Sequence, residues 1–410
     1  MPIGLLATLD TKGREIAFLA ARLQEWNRAA LVIDVGLYEP QGIVPEVSRF
    51  EVALAGGAQV ENLLRGRRDD AMTAMGRGAG EILQRLHREG RLEGVLGLGG
   101  NQGTAIVSAA LRALPLGIPK LLVSTVASGN MRPFIGASDM AVMFSAADLL
   151  GGPNPVIEPV LRNAAAAMAG MTAPTNRISA PGAPLVAITA MGNTHPAVTR
   201  AIDLLRSAGL ETAAFHASGA CGSAMERLIR AGRVAAVLEL TPHELTEEVL
   251  GVGAYQPVEP GRLTAAGEMG IPQVVAPGSM EYLCFGPLES VPPRLRRRPM
   301  YFHNRANVNL QVSRAESEAV GRVLAERLNQ ARGPVAVLLP MQGWSMYGAP
   351  GGPLHNPAVN AALVRSLTRY LRPDIPVQRL PMNINDPAFA EHCCQVLQEF
   401  LQRQNAAAGR

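Results

Sequence analysis

The chain's 410 residues are 48% hydrophobic and 18% charged, which excludes a disordered protein and leaves room for two or three domains, each with its own core. The net charge of +4 comes from scattered arginines; the one dense patch, Arg294 to Arg298, lacks interleaved aromatics, so nucleic-acid binding is not expected. No apolar run suggests a membrane span, no signal-peptide pattern opens the chain, and Cys221, Cys284, Cys393 and Cys394 follow no zinc or disulfide spacing, so a reduced cytoplasmic protein without a bound metal is expected.

The first predicted strand, Gly4 to Leu9, exits at Asp10-Thr11-Lys12-Gly13, and a helix with Ile16, Leu19, Ala20 and Leu23 at helical spacing follows. Ala30 to Gly36 is the second strand. Residues 37–78 are extra relative to the second half and read as a loop plus the start of a helix. Val95-Leu96 leads into the turn Gly97-Leu98-Gly99-Gly100-Asn101-Gln102-Gly103-Thr104 and a helix from Ala105 to Leu114. The strand Lys120 to Val123 leads into Ser124-Thr125-Val126-Ala127-Ser128-Gly129-Asn130. From Thr172 to Pro184 the composition is that of a linker.

Beyond it the chain repeats itself. Val186 to Met191 parallels the first strand, Thr212 to His216 the second, Gly232 to Leu240 matches Gly90 to Leu98, and Gly270 to Ala276 matches Gly117 to Val123. A loop-rich stretch, a helix at 314–331, a strand at Pro334 to Pro340 and a glycine- and proline-rich loop from Met341 to Pro357 follow. Short Val/Leu/Ile runs alternating with amphipathic helices predict an α/β fold of two tandem Rossmann-like doubly wound parallel-sheet domains. The expected domains are residues 1–178, for a nucleotide, and 183–410, for a substrate.

Strand exits are where such sheets bind ligands. The glycine turn at Gly99, Gly100, Asn101, Gly103 and Thr104 presents backbone N–H groups and a helix N-terminus, an anion site that is neither a Walker A loop nor a dinucleotide fingerprint. Ser124, Thr125, Ser128 and Gly129 offer hydroxyls and a close backbone approach; the same pattern also makes an ST-turn. Asp10 suits magnesium, through water, or a helix cap. Only Lys12 and Lys120 are lysines among 38 basic residues. Lys12, at a strand exit, is read as a phosphate ligand; Lys120, at a strand entrance, is not. In the second half the exits carry His195, His216, Glu239, His243 and Glu281, a set that suits a polar small molecule, acid–base work or a metal, with the small molecule favoured. Cys221, at a helix start, reads as a small residue before a nucleophile.

The phrases Leu9-Asp10-Thr11-Lys12-Gly13, Leu98-Gly99-Gly100 with Gly103-Thr104, Gly117-Ile118-Pro119-Lys120 and Ser124 to Gly129 resemble the family of the tomato mosaic virus replication inhibitor, as do His216-Ala217, Ala224-Met225-Glu226, His303-Asn304 and Asn385-Asp386-Pro387. Its bacterial members are described as uncharacterised ATP-binding-domain proteins. The resemblance implies homodimers and ATP on Asp10, Thr11, Lys12, Gly99, Gly100, Gly103, Thr104 and Ser124 to Gly129, Thr125 and Ser128 included; Asn101 joins them from its place in the glycine turn, and Mg²⁺ is expected with the ATP. Substrate contacts would fall to His195, Glu239, His303 and Asn304, and catalysis to His216, His243 and Glu281. The chain departs from the family at Asn101 and Gln102, where serine and glycine are usual, and at Glu281, where aspartate is.

The expected function is therefore an ATP-binding cytoplasmic enzyme of small-molecule metabolism, with its active site between two Rossmann-like domains. Two alternatives stay open: a nucleotide-independent lyase or hydrolase for a phosphorylated or carboxylated metabolite, and a non-catalytic ATP-binding regulatory module.

Overall fold

A computed structural model describes residues 1–173 and 183–408, so residues 174–182, the middle of the predicted linker, lie outside the described residues. The chain divides into two compact units, residues 1–179 and 180–410. Among the described residues no helix is long and apolar enough to cross a membrane.

Unit 1 runs β1 (Ile3–Ala7), α1 (Leu9–Glu25), β2 (Ala30–Asp34), α2 (Arg49–Ala55), α3 (Val60–Arg65), α4 (Arg68–Arg88), β3 (Gly94–Gly99), α5 (Asn101–Ala113), β4 (Lys120–Ser124), α6 (Arg132–Ile135), β5 (Ala141–Phe144) and α7 (Ile157–Met171). The strands form one parallel sheet in the order β2-β1-β3-β4-β5. Successive side chains of a strand point to opposite faces, so one apolar run feeds two cores. Leu6 joins Ile33, Val95 and Leu122 beneath α4 and α5, while Ile3, Leu5 and Ala7 join Leu96 and Val123 beneath α1 and α7. This double burial is why the strands read as continuous apolar segments.

Unit 2 runs β6 (Leu185–Ala190), α8 (His195–Ser207), β7 (Glu211–His216), α9 (Ala220–Arg230), β8 (Ala236–Glu239), α10 (His243–Leu250), α11 (Ala265–Met269), β9 (Gln273–Val275), β10 (Tyr282–Phe285), β11 (Met300–Asn304), β12 (Asn307–Gln311), α12 (Arg314–Asn329), β13 (Val335–Pro340), α13 (Pro357–Tyr370), β14 (Val377–Leu380) and α14 (Pro387–Ala408). Its main sheet is parallel, in the order β14-β13-β9-β8-β6-β7. The fold is thus α/β with two doubly wound parallel sheets, as the alternation of runs predicts. In each, strand order reverses between the first and third strands: β1/β3 and β6/β8. Such reversal points leave a crevice at the carboxyl ends of the strands.

The structure departs from the sequence reading in three places. Asp10, Thr11 and Lys12 are not a loop but the first turn of α1, which begins only one residue after β1. Residues 37–78 contain α2 and α3 before α4; α2 is started by a capping box in which Ser48 and Glu51 satisfy each other's backbone N–H groups. The loop-rich stretch after β9 holds a three-stranded antiparallel sheet, β10-β12-β11.

Candidate functional site

The crevice of unit 1 is an open cleft of about 1400 Å³. Two helix N-termini flank it. In α5, capped by Gly100, the N–H groups of Asn101, Gln102 and Gly103 precede the first intrahelical bond, from Thr104 N–H to Gly100 O at 2.7 Å. In α1, Leu9 N–H donates to Asp34 Oδ1 at 3.1 Å, and Thr11 and Lys12 N–H groups return to Thr8 O. Two positive dipole ends therefore meet at one edge, with α5 supplying the unspent donors.

Lys12 lines this cleft. Its side chain lies in the first turn of α1 and is only 8% exposed. Among the described residues its ammonium has neither an ion pair nor a hydrogen bond. The stem is packed away while the ammonium opens on the cleft with no protein partner among the described residues, which marks a place kept for an anion. Lys120 is its opposite: fully buried, it meets Asp139 at 2.6 Å and donates to Pro115 O and Ile118 O.

Beside Lys12, Asp10 Oδ2 accepts the Tyr38 N–H at 3.3 Å. Asp34 Oδ1 takes N–H groups from Leu9 and Gly36, while its Oδ2 is buried without a partner among the described residues. Burial raises the Asp34 pKa, with the Asp10 charge adding to it against the two backbone donors. Gly13 is needed for packing: a Cβ there would sit 1.7 Å from Gln41 O, where the chain after β2 crosses α1.

Asp10, Thr11, Lys12, Gly100, Asn101, Gly103 and Thr125 line the cleft together. Gly99, Thr104, Ser124, Ser128 and Gly129 are not among its lining residues. Thr104 and Ser124 are fully buried and bond each other's hydroxyls at 2.7 Å, joining α5 to β4. Gly99 lets that joint close, since a Cβ would lie 2.2 Å from Thr104 N. Ser128 and Gly129 are exposed in the turn after β4. Sequence reasoning missed the wall supplied by Leu37, Tyr38, Leu63 and Met72 from the extra segment, and Phe144 from the end of β5. The capping box at Ser48 was the available signal that this segment is folded.

In unit 2 the strand exits meet in a buried polar cluster. Arg262, fully buried, donates through Nε to Glu244 at 2.5 Å, through Nη1 to Glu226 at 2.5 Å, and through both terminal nitrogens to Glu239 at 3.0 Å. Thr189 and the backbone N–H groups of Gly219, Gly222, Leu263 and Ala265 take up other carboxylate positions. Glu239 is thus locked into this network, 1% exposed. Nothing in one dimension links Arg262 to three glutamates on β8, α9 and α10, and the sequence reading missed it.

His195 is exposed at the start of α8, its Nε2 3.3 Å from Thr199 Oγ1. His216 is exposed beside the Tyr255 ring, and desolvation lowers its pKa. His243 is fully buried, with Nδ1 on Ser279 O at 2.6 Å and Nε2 facing Glu247 Oε1 at 3.1 Å. His303 meets Tyr347 OH at 3.1 Å, and Asn304 turns back on Ala306 N–H; both are exposed.

Glu281 is 2% exposed under the long loop after β13, where Ser345 donates to its Oε1. Burial pushes its pKa from 4.5 up to about 7. A carboxyl whose folded pKa is raised stabilises the fold below its unfolded pKa and loses that contribution as pH rises through the folded one. The expected result is that wild type loses about 3 kcal/mol between pH 4.5 and pH 7 through this group. Glu281→Gln should therefore melt above wild type at pH 8 and near it at pH 4.5; parallel melting curves across that range would refute the assignment.

Residues 1–177 match the N-terminal domain, and residues 183–401 the C-terminal domain, of the Uncharacterised protein family (UPF0261). A UPF0261 protein of Clostridium tetani is 38% identical over 94% of this chain and 95% of its own. One of Rhizobium meliloti is 35% identical over 95% and 96%. The ToMV resistance protein Tm-1 of Solanum lycopersicum is 36% identical over 78% of this chain, which is 43% of the tomato protein.

Proposed function

The chain belongs to the UPF0261 family, and from that footing we propose that unit 1 binds ATP, with Mg²⁺, in the crevice between β1 and β3. The observation that carries this reading is Lys12, a largely covered residue whose ammonium has no partner among the described residues and lines a cleft flanked by two helix N-termini. The phosphates would lie across Lys12 and the first turns of α1 and α5. Of the three carboxylates that line the cleft, Asp10, Glu39 and Asp148, Asp10 sits beside Lys12 on the first turn of α1 and would face Mg²⁺. Leu37, Leu63, Met72 and Phe144 offer an apolar wall for the base.

The apolar wall of Leu37, Leu63, Met72 and Phe144 lies in the same cleft as Lys12 and the two helix N-termini, and this pairing of a phosphate edge with an apolar face favours a nucleotide over a small phosphorylated metabolite. The protein is accordingly read as a nucleotide-using enzyme of small-molecule metabolism. The test is a thermal-shift titration with ATP, ADP and AMP, each with and without Mg²⁺. A native-state ligand at a hundredfold excess over its Kd adds about 2.7 kcal/mol of stability. A shift largest with ATP and Mg²⁺ supports the reading. Equal shifts with AMP would remove the phosphates from it, and no shift with any nucleotide would end it.

A further inference from the structure

A second ligand site stands in unit 2, on residues the nucleotide reading does not use. We propose that His243 Nε2, the Glu247 carboxylate and Cys284 Sγ bind a divalent transition-metal ion of the zinc type. Each residue offers one donor atom, and the three atoms lie within 4.8 Å of one another. Four-coordinate zinc, with bonds of about 2.0–2.3 Å, needs its donors about 3.3–3.8 Å apart. Small side-chain movements reach that spacing from the 3.1 Å between His243 Nε2 and Glu247 Oε1.

The donors are aimed by their surroundings. His243 and Glu247 are one helical turn apart on α10, so they share a face. His243 Nδ1–H donates to Ser279 O at 2.6 Å, which fixes the ring and turns the Nε2 lone pair toward Glu247 and Cys284. Glu247 is held by the N–H groups of Tyr255, at 2.5 Å, and Cys284, at 2.6 Å. Gly253 completes this cradle: its φ is +118°, and a Cβ there would lie 2.1 Å from the Glu247 carboxyl carbon. Cys284 arrives from β10, with Asn309 Oδ1 3.3 Å from its Sγ; with the amide turned, Asn309 would donate to a thiolate.

All three residues are buried, Cys284 at 2% and the others at 0% exposure. Imidazole, thiolate and carboxylate together suit zinc, cobalt or iron(II), whereas magnesium and calcium take oxygen donors. Coordination sends to solvent the Cys284 thiol proton and the proton shared between His243 Nε2 and the Glu247 carboxylate. Three protein donors leave one tetrahedral position for water or a substrate atom, the pattern of zinc sites that do chemistry.

The experiment uses the full chain, refolded with cobalt(II). One tightly held ion per chain should appear, with a sulfur-to-cobalt charge-transfer band that zinc(II) abolishes. Cys284→Ser and Cys284→Ala should lose the band, while Cys221→Ser, at an exposed cysteine, should keep it. A natively folded wild type without the band overturns the proposal, as does a band that survives in either Cys284 variant. Should neither Cys284 variant fold, the wild-type spectrum still decides. ATP binding in unit 1 is read separately, so either idea can fail alone.

Discussion

Arg262→Met is expected to abolish the cooperative unfolding of unit 2. Three carboxylates, Glu226, Glu239 and Glu244, share this one guanidinium, and none of the four residues is more than 5% exposed. Removing one partner of a single buried pair costs roughly 3–5 kcal/mol because a charge is left in low dielectric. Here three charges are left, against a domain stability of about 5–15 kcal/mol. Arg262→Lys should rescue little, since an ammonium cannot serve three carboxylates along the directions of a planar fork. The control is Arg230→Met, which breaks a pair with Glu268 at a similar 2.8 Å, but with side chains 41% and 51% exposed. That change should cost about 1 kcal/mol or less. Fluorescence of the buried Trp344 during denaturant unfolding reads unit 2 directly, because Trp26, the other tryptophan, lies in unit 1 and is 55% exposed. A midpoint for Arg262→Met as close to wild type as that of Arg230→Met would show that the network does not hold the unit.

Lys12→Ala is expected to have the opposite pattern: function lost, stability kept or raised. The residue is 8% exposed and its ammonium has no partner among the described residues, so the fold gains no ion pair or hydrogen bond from it. Its removal should leave the melting temperature unchanged or higher. A hydrogen bond to a charged group contributes about 1.5–3 kcal/mol, so affinity for ATP should fall about 10- to 150-fold. A residue kept for packing would give the reverse, a lower melting temperature with unchanged affinity. Sites that hold charge ready for a ligand commonly trade stability for binding in this way.

The central parallel strands were legible because both faces are buried, so each appears as a short apolar run between glycine or proline turns; the edge strands β5 and β14, exposed or half-buried along their length, were not read. The repeat was legible for the same reason, and the two sheets do reverse order at equivalent strands. The sheet of β10, β11 and β12 was passed over although Asn307–Gln311 alternates polar and apolar residues as a strand does, because the basic, proline-rich stretch upstream gave the whole region the composition of a loop. Lys12 and the glycine turn could be placed together because parallel strands deliver their exits to one edge. That Thr104 and Ser124 face each other follows only from the β3/β4 register, in which Gly99 pairs with Ser124. The helical spacing of His243 and Glu247 was visible, but Cys284 reaches them through tertiary packing alone.

The central claim is that the β1/β3 crevice holds a nucleotide by its phosphates through Lys12. Calorimetric titration of Mg²⁺·ATP into the wild type and into Lys12→Ala tests it most directly. The account predicts saturable binding to the wild type and at least about tenfold weaker binding to a variant that melts no lower. Equal affinity in both proteins, or no heat of binding to a folded wild type, would contradict it.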